Sequence, residues 1–339
     1  MLNQFSSKLL LLVPIIGILN FSCETGTSKN AIGKTENEGQ KSAMSFKVDP
    51  YLPDANTAPK KIGAYELVFA DEFNHEGPMK EEYWNAETGF RRNNEAQWYK
   101  ADNSVCTGGR LVITAKREKY KNPGYVEGSN DWRKNREYAS YTSSSFITKE
   151  EFHQKYDNIM MIARAKLPLV SGGDEDYGVW PAFWTTGHGG WPHGGEIDIM
   201  EYYTGQMMAN FATKGKNGAK WTSNKDQNPS TLYIKNIIDG TAEGFNADPD
   251  WLKKYHVWKL VGDGEWLTIY LDDIYMARIA LDTKNIDTSE REYPYKDNLC
   301  NFWLNLAVGG NPHPDKVKLE ETQFPRTYEI DYARIYIRK

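Results

Sequence analysis

An all-β fold, a sandwich or a barrel, is predicted by three features of the sequence. From Tyr65 onward short apolar runs follow one another, Gly, Asn, Asp and Pro separate them, and no long amphipathic helical stretch intervenes. In order, the runs are YELVFADEF, GRLVITAKRE, YDNIMMIARAKL, EIDIMEYY, YHVWKLVG, WLTIYLDD, FWLNLAV and YEIDYARIYIRK. Several alternate apolar and polar residues, as at Tyr328, Ile330 and Tyr332, which is the period of a strand with one buried face. Segments 248–256 and 286–300 can supply short turns of helix, and no repeat of fixed period is present. Periodicity alone leaves sandwich and barrel both open.

The first residues read as an address. Lys8 precedes the apolar run LLLLVPIIGIL, which is too short to span a bilayer, and Asn20-Phe21-Ser22-Cys23 follows. Residues 1–22 are therefore expected to be a signal peptide. Cys23, directly after Ser22, is the expected site of lipidation in a bacterial lipoprotein pattern, with ordinary cleavage nearby as the alternative. Residues 23–60 are polar and lack apolar periodicity, as a flexible tether does. The folded domain is expected over 61–339. This organisation implies export from the cytoplasm. The expected place is the cell envelope (outer membrane or periplasm) through a lipid anchor, or otherwise the medium.

Composition removes some functions. The net charge is −5 and the charges are mixed in sign, so there is no basic face for nucleic acid. The 11 Trp and 21 Tyr suit a sheet core, and also a sugar partner, whose C–H faces stack on aromatic rings. Three cysteines do not make a disulfide scaffold. Cys106 and Cys300 can be a pair or two packed thiols.

The chemistry is concentrated in WPHGGEIDIMEYY, residues 191–203. On a strand, Glu196 and Asp198 share one face while Ile197 and Ile199 point to the core. Glu201 stands at an odd separation from Glu196, and one extra residue at Ile199 or Met200, a β-bulge, returns it to the same side. Aligned carboxylates push their pKa values apart, so one can be ionised while another stays protonated. Glycoside hydrolysis with retention needs that division, from two carboxyl groups about 5–5.5 Å apart. Clustered acids also suit Ca²⁺ or a solvated strand, but neither accounts for Trp180, Trp184 and Trp191 crowding the same run.

GEIDIME resembles the E-x-D-x-x-E motif of glycoside hydrolase family 16. WPAFW (180–184) stands upstream, and LVFADEFN, RRNNEAQWY, GGRLVITAKRE, LNLAVGGN and YEIDYARIY follow the family's order over nearly the whole domain. The resemblance implies a concave β-jelly-roll sandwich of two curved antiparallel sheets. It implies Glu196 as nucleophile, Glu201 as general acid/base and Asp198 as the residue that tunes the nucleophile. Trp180, Trp184, Arg92, Asn94 and Glu95 are the substrate-binding residues it implies; Trp191 and His193 flank the catalytic strand. Asn210 and Trp221 lie in the region just downstream, where laminarinases tend to carry a His and this chain does not. No cofactor is implied for catalysis. One structural Ca²⁺ is implied, held by Asp331 and by backbone oxygens of Glu72 and Gly109.

The expected activity is retaining endo-hydrolysis of a polysaccharide by a monomer, with β-1,3-glucan first. Agar-, carrageenan- or lactosamine-type galactans are the alternative, and a non-catalytic jelly-roll lectin is the reading from another class. The loops 170–176 and 222–250 are expected to wall the cleft; 119–141, rich in Tyr, Arg and Lys, reads as a solvated loop, with contact to a sulfated galactan as the alternative.

Overall fold

A computed structural model describes residues 58–339, apart from 282, 284–287 and 312–313. The expected signal peptide, Cys23 and the tether up to residue 57 lie outside the described residues. No helix among those described is long and apolar enough to cross a membrane.

Each apolar run quoted above carries a strand, and the strands assemble into two principal sheets forming a jelly roll. The larger sheet runs Ile274–Ala280, Trp266–Leu271, His256–Gly262, Ile159–Lys166, Arg326–Arg338, Leu111–Lys121, Tyr138–Ser143 and Gln97–Tyr99. The smaller, which carries the acids, runs Gly218–Ser223, Gln206–Gly215, Glu196–Tyr203, Val179–Thr186, Trp303–Val308, Ser145–Thr148 and Trp84–Ala86. Pairing is antiparallel with one departure from expectation: Gln97–Tyr99 runs parallel to Tyr138–Ser143.

Period-2 alternation sorts side chains between core and cleft. On Val179–Thr186, Val179, Phe183 and Thr185 are fully buried, while Trp180, Ala182 and Trp184 turn to the other face. Ile197, Ile199, Phe211 and Leu304 meet Ile113, Ala163, Ile269 and Ile330 of the facing sheet in one continuous core. At roughly 25 cal/mol per Å² of apolar area, this burial is the main force holding the two sheets together.

Helix falls elsewhere than expected. A single 3₁₀ turn, Trp251–Lys253, forms within 248–256. The described part of 286–300 is irregular up to the two-residue strand Leu299–Cys300. The short α-helices Asn224–Gln227 and Ile234–Ile238 lie in 222–250, read from sequence as a loop. Asn224 anchors that segment: its side chain accepts the Ala209 N–H and donates to the Met207 carbonyl. Cys106 and Cys300 are both buried and free.

Candidate active site

The catalytic strand begins at a glycine that has to be one. Gly195 has φ +77°, and a Cβ there would lie 2.8 Å from Tyr295 Cε1. Tyr295 packs beneath the strand, and its hydroxyl reaches the carbonyls of Glu196 and Ala212, each at 3.3 Å.

Four residues on, the expected bulge is present. Against Val179–Thr186 the register places Trp184 opposite Asp198 and Phe183 opposite Met200, so Ile199 is the extra residue. Ile197, Ile199 and Met200 all enter the core, and Glu196, Asp198 and Glu201 are left on the cleft face.

A chain of hydrogen bonds joins the three acids. Asp198 bonds Glu196 directly. Asn210, opposite Asp198 on the next strand, donates to Asp198 Oδ2 at 3.1 Å and to Glu201 Oε2 at 2.9 Å. The indole N–H of Trp180 donates to Glu201 Oε1 at 2.6 Å, and Trp191 donates to Glu196. Asn210 and Trp180 therefore position the acids; Asn210 was expected among the sugar-binding residues, but its amide is spent on two carboxyl groups.

Electrostatics separate the acids. Burial lifts Glu196 to about 7, the charge of Glu201 adds to the rise, and Arg92 together with bonds from Trp191 and Asp198 draws it down. Burial and the neighbouring Glu196 hold Asp198 well above the ordinary carboxyl range. Burial and Asp198 do the same for Glu201, against the pull of Trp180 and Asn210. Glu196 thus ionises first, while Glu201 and Asp198 keep their protons.

On one side of the acids the floor is aromatic. Trp184 stacks on Trp303 with centroids 4.8 Å apart and 17° between planes. The guanidinium of Arg92 lies over Trp184, Trp303 and Tyr99 and is held by Glu87. Asn305 accepts from Trp184 Nε1 at 2.7 Å and donates to Tyr99 Oη at 3.2 Å. Trp303, Asn305, Tyr99 and Glu87 were not singled out from sequence. The alternation of FWLNLAV was the available signal for two of them, since it puts Trp303, Asn305 and Ala307 on one face with the Trp pair of WPAFW.

On the other side, Trp221 is 47% exposed and stands in one cross-strand row with Ala212 and Glu196. Trp191 is 58% exposed on the loop leading to Glu196. His193 faces Glu292 at 3.1 Å on the same loop.

Two expected sugar contacts differ from one another. Asn94 is exposed at the loop tip with φ +55°. Glu95 is buried and turned inward, accepting from Gln97 Nε2 at 2.7 Å, so it holds the loop rather than facing the cleft. Arg136, from the segment 119–141, donates to the Glu95 carbonyl at 3.0 Å and closes the same loop from outside. The segment 170–176 is pinned by Asp176, whose carboxylate accepts the N–H groups of Val170, Ser171 and Gly172 and the guanidinium of Arg326.

Of the residues implied for calcium, Asp331 has its carboxylate paired with Arg164 at 2.6 Å, while the Glu72 side chain is bonded by Arg334, which leaves the backbone oxygens of Glu72 and Gly109 apart from these pairs. Among the described residues no group of three or more His, Cys, Asp or Glu side chains is arranged to hold a metal.

Known proteins share this framework. A family model, XgeA-like, catalytic GH16 domain, matches residues 144–246, the stretch that holds WPAFW and all three acids. A β-glucanase of Rhodothermus marinus is 28% identical over 291 residues, covering 81% of this chain and 86% of that protein. Glucan endo-1,3-β-glucosidase A1 of Niallia circulans is 26% identical over 81% of this chain, which spans only 38% of that protein's length. Among solved structures, one from work on endo-acting O-glycanases, with which prominent members of the human gut microbiota initiate mucin breakdown, superposes with a TM-score of 0.63. It is 25% identical and covers 83% of this chain and 94% of that one. In the stretch that holds the acids, and in its fold, the chain is similar to proteins of glycoside hydrolase family 16.

Proposed function

We propose that the protein is a retaining endo-β-glycanase acting on β-1,3-glucan. The observation that carries this reading is the bonded row Glu196–Asp198–Asn210–Glu201, in which the first acid ionises and the last stays protonated.

Each residue then has a defined task. The Glu196 carboxylate attacks the anomeric carbon as the glycosidic C–O bond breaks, and Glu201 gives its proton to the departing oxygen. Charge leaves Glu196 as the ester forms, and the newly ionised Glu201 is bonded by Trp180 and Asn210. Glu201 next takes a proton from water, whose oxygen attacks the anomeric carbon and releases Glu196 with retained configuration. Asp198, kept neutral, donates to Glu196 and holds its orientation throughout. Trp184 and Trp303 offer a stacking platform on one side of the scissile bond and Trp221 another beyond it, as an enzyme cutting within a chain requires.

The β-1,3-glucan assignment is supported by the activity named for the Niallia relative. A second reading, cleavage of a galactose-containing glycan, is supported by the similarity to the O-glycanase structure and by Asn210 in a region where laminarinases tend to carry a His. We further propose export and anchoring through a lipid on Cys23, on the pattern of residues 1–23 alone, with the enzyme acting as a monomer.

The deciding experiment is reducing-sugar release from laminarin, mixed-linkage glucan, agarose, carrageenan and mucin O-glycans by wild type and Glu196→Gln. Laminarin cut to short oligosaccharides by wild type only is the expected result. Cutting of mucin glycans or agarose instead establishes the second reading. Binding without release from any of them leaves a lectin.

A further inference from the structure

Away from the acids, two histidines from distant parts of the chain meet. His153 follows the turn Glu150–Phe152 beyond the inner-sheet strand Ser145–Thr148, and His188 lies just past the end of Val179–Thr186. Their facing nitrogens, His153 Nδ1 and His188 Nε2, are 3.1 Å apart, with the rings 74° from coplanar. Both backbones are fixed: His153 N–H donates to Glu150, His188 N–H to Leu299, and Asn298 Nδ2 to the His188 carbonyl.

We propose that His153 and His188 form a bidentate site for a divalent, nitrogen-preferring transition metal such as Cu²⁺ or Zn²⁺. The spacing fits: two nitrogens about 2.0–2.1 Å from one ion, at a near-tetrahedral angle, stand roughly 3.0–3.4 Å from each other. The tautomer fits as well. His153 Nε2 lies 3.1 Å from the Thr148 carbonyl and can only donate to it, which leaves a lone pair on Nδ1 aimed at His188. A ring N–H fixed by a backbone carbonyl is the usual support of a metal-bound imidazole.

The protons balance. In the metal-free protein His188 Nε2–H donates to His153 Nδ1; on binding, that proton moves to His188 Nδ1, and the ion takes both lone pairs without net proton release. Glu150 and Glu151 make the surroundings negative. Two coordination positions remain for water or for an outside ligand. His188 belongs to the loop that carries Trp191 to Glu196, so an ion here would tie that loop to the end of Ser145–Thr148.

The test is Cu²⁺ titration of the full-length chain, followed by calorimetry and electron paramagnetic resonance. Cu²⁺ is chosen because it heads the affinity order for such donors. Variants are His188→Gln, His153→Gln and, as control, His193→Gln. One equivalent bound with two-nitrogen hyperfine structure is expected, weakened by about tenfold or more in either of the first two variants and unchanged in the third. If His153→Gln unfolds for want of its Thr148 anchor, His188→Gln on the exposed loop carries the result. No binding at about 100 µM Cu²⁺, or equal binding by His188→Gln, overturns the site.

Discussion

Replacing Arg92 by Leu removes the cation that draws Glu196 downward, so Glu196 has to ionise at higher pH. The acid limb of the kcat/KM profile is expected to move to higher pH, with the alkaline limb in place. Trp180→Phe acts on the other acid. It deletes a bond that favours ionised Glu201, so there the alkaline limb moves up and the acid limb stays. Profiles in which both limbs shift together would show that the two acids are not separated as described. Glu201→Gln gives a sharper result. It is expected to lose roughly 10²–10⁴-fold on polysaccharide, yet to retain the first step on an aryl glycoside whose leaving group needs no proton, with azide restoring turnover. At this scale the three acids were legible because a strand's period and one bulge fix their facing from six consecutive residues. Arg92, Trp303, Asn305 and Tyr99 come together over separations of 206 residues and more, which no local period encodes.

The catalytic strand as an element depends on its entry and on its bulge. Gly195→Ala puts a methyl against Tyr295 and Pro294 at a backbone angle that suits glycine. The expected outcome is a fall in kcat larger than the loss of stability alone would cause, because the shift is delivered at Glu196. Thermal unfolding beside initial rates checks this. Deleting Ile199 removes the extra residue and returns the strand to strict alternation. Glu201 then stands at an even separation from Glu196 and keeps the cleft face by alternation alone, but it moves nearer Asp198 along the strand and out of register with Trp180 and Asn210, so activity is expected to fall while the fold is retained. Undiminished activity after that deletion would mean that the spacing set by the bulge does not matter to the chemistry. The bulge was readable from sequence because three acids and three apolar residues admit few other arrangements. The helices in 222–250 were not, since Asn224–Gln227 and Ile234–Ile238 are a turn or so each and carry no 3.6-residue stripe. What holds that segment is polar, through Asn224 to the strand that also carries Asn210.

Over the whole domain, the sandwich followed from strand count and spacing, and the core from alternation, while the parallel pairing of Gln97–Tyr99 had no signal in three residues. Electrostatics at this scale yields two expectations. Because Arg164 already neutralises Asp331, the one side chain implied for calcium, chelation with EGTA is expected to leave the melting temperature unchanged; a fall of several degrees would establish calcium on that face. Stability should also depend on pH through Glu95, which burial lifts to about 7 against the partial compensation of Arg92, Gln97 and Tyr99. Its ordinary value is 4.5, so in the unfolded chain it has already lost its proton where the folded protein still keeps one. A carboxyl raised by folding contributes a stability that is whole below 4.5, declines as pH rises to about 7, and is gone above. At 1.36 kcal/mol per unit the decline is at most about 3 kcal/mol. Glu95→Gln has no proton to lose, and its amide oxygen can still accept from Gln97. Relative to wild type it should therefore gain stability between pH 4.5 and 7 and hold that gain at pH 8, read as a few degrees in melting temperature. A constant difference at every pH would mean that the hydrogen bonds of Glu95, and not its charge, matter to the fold.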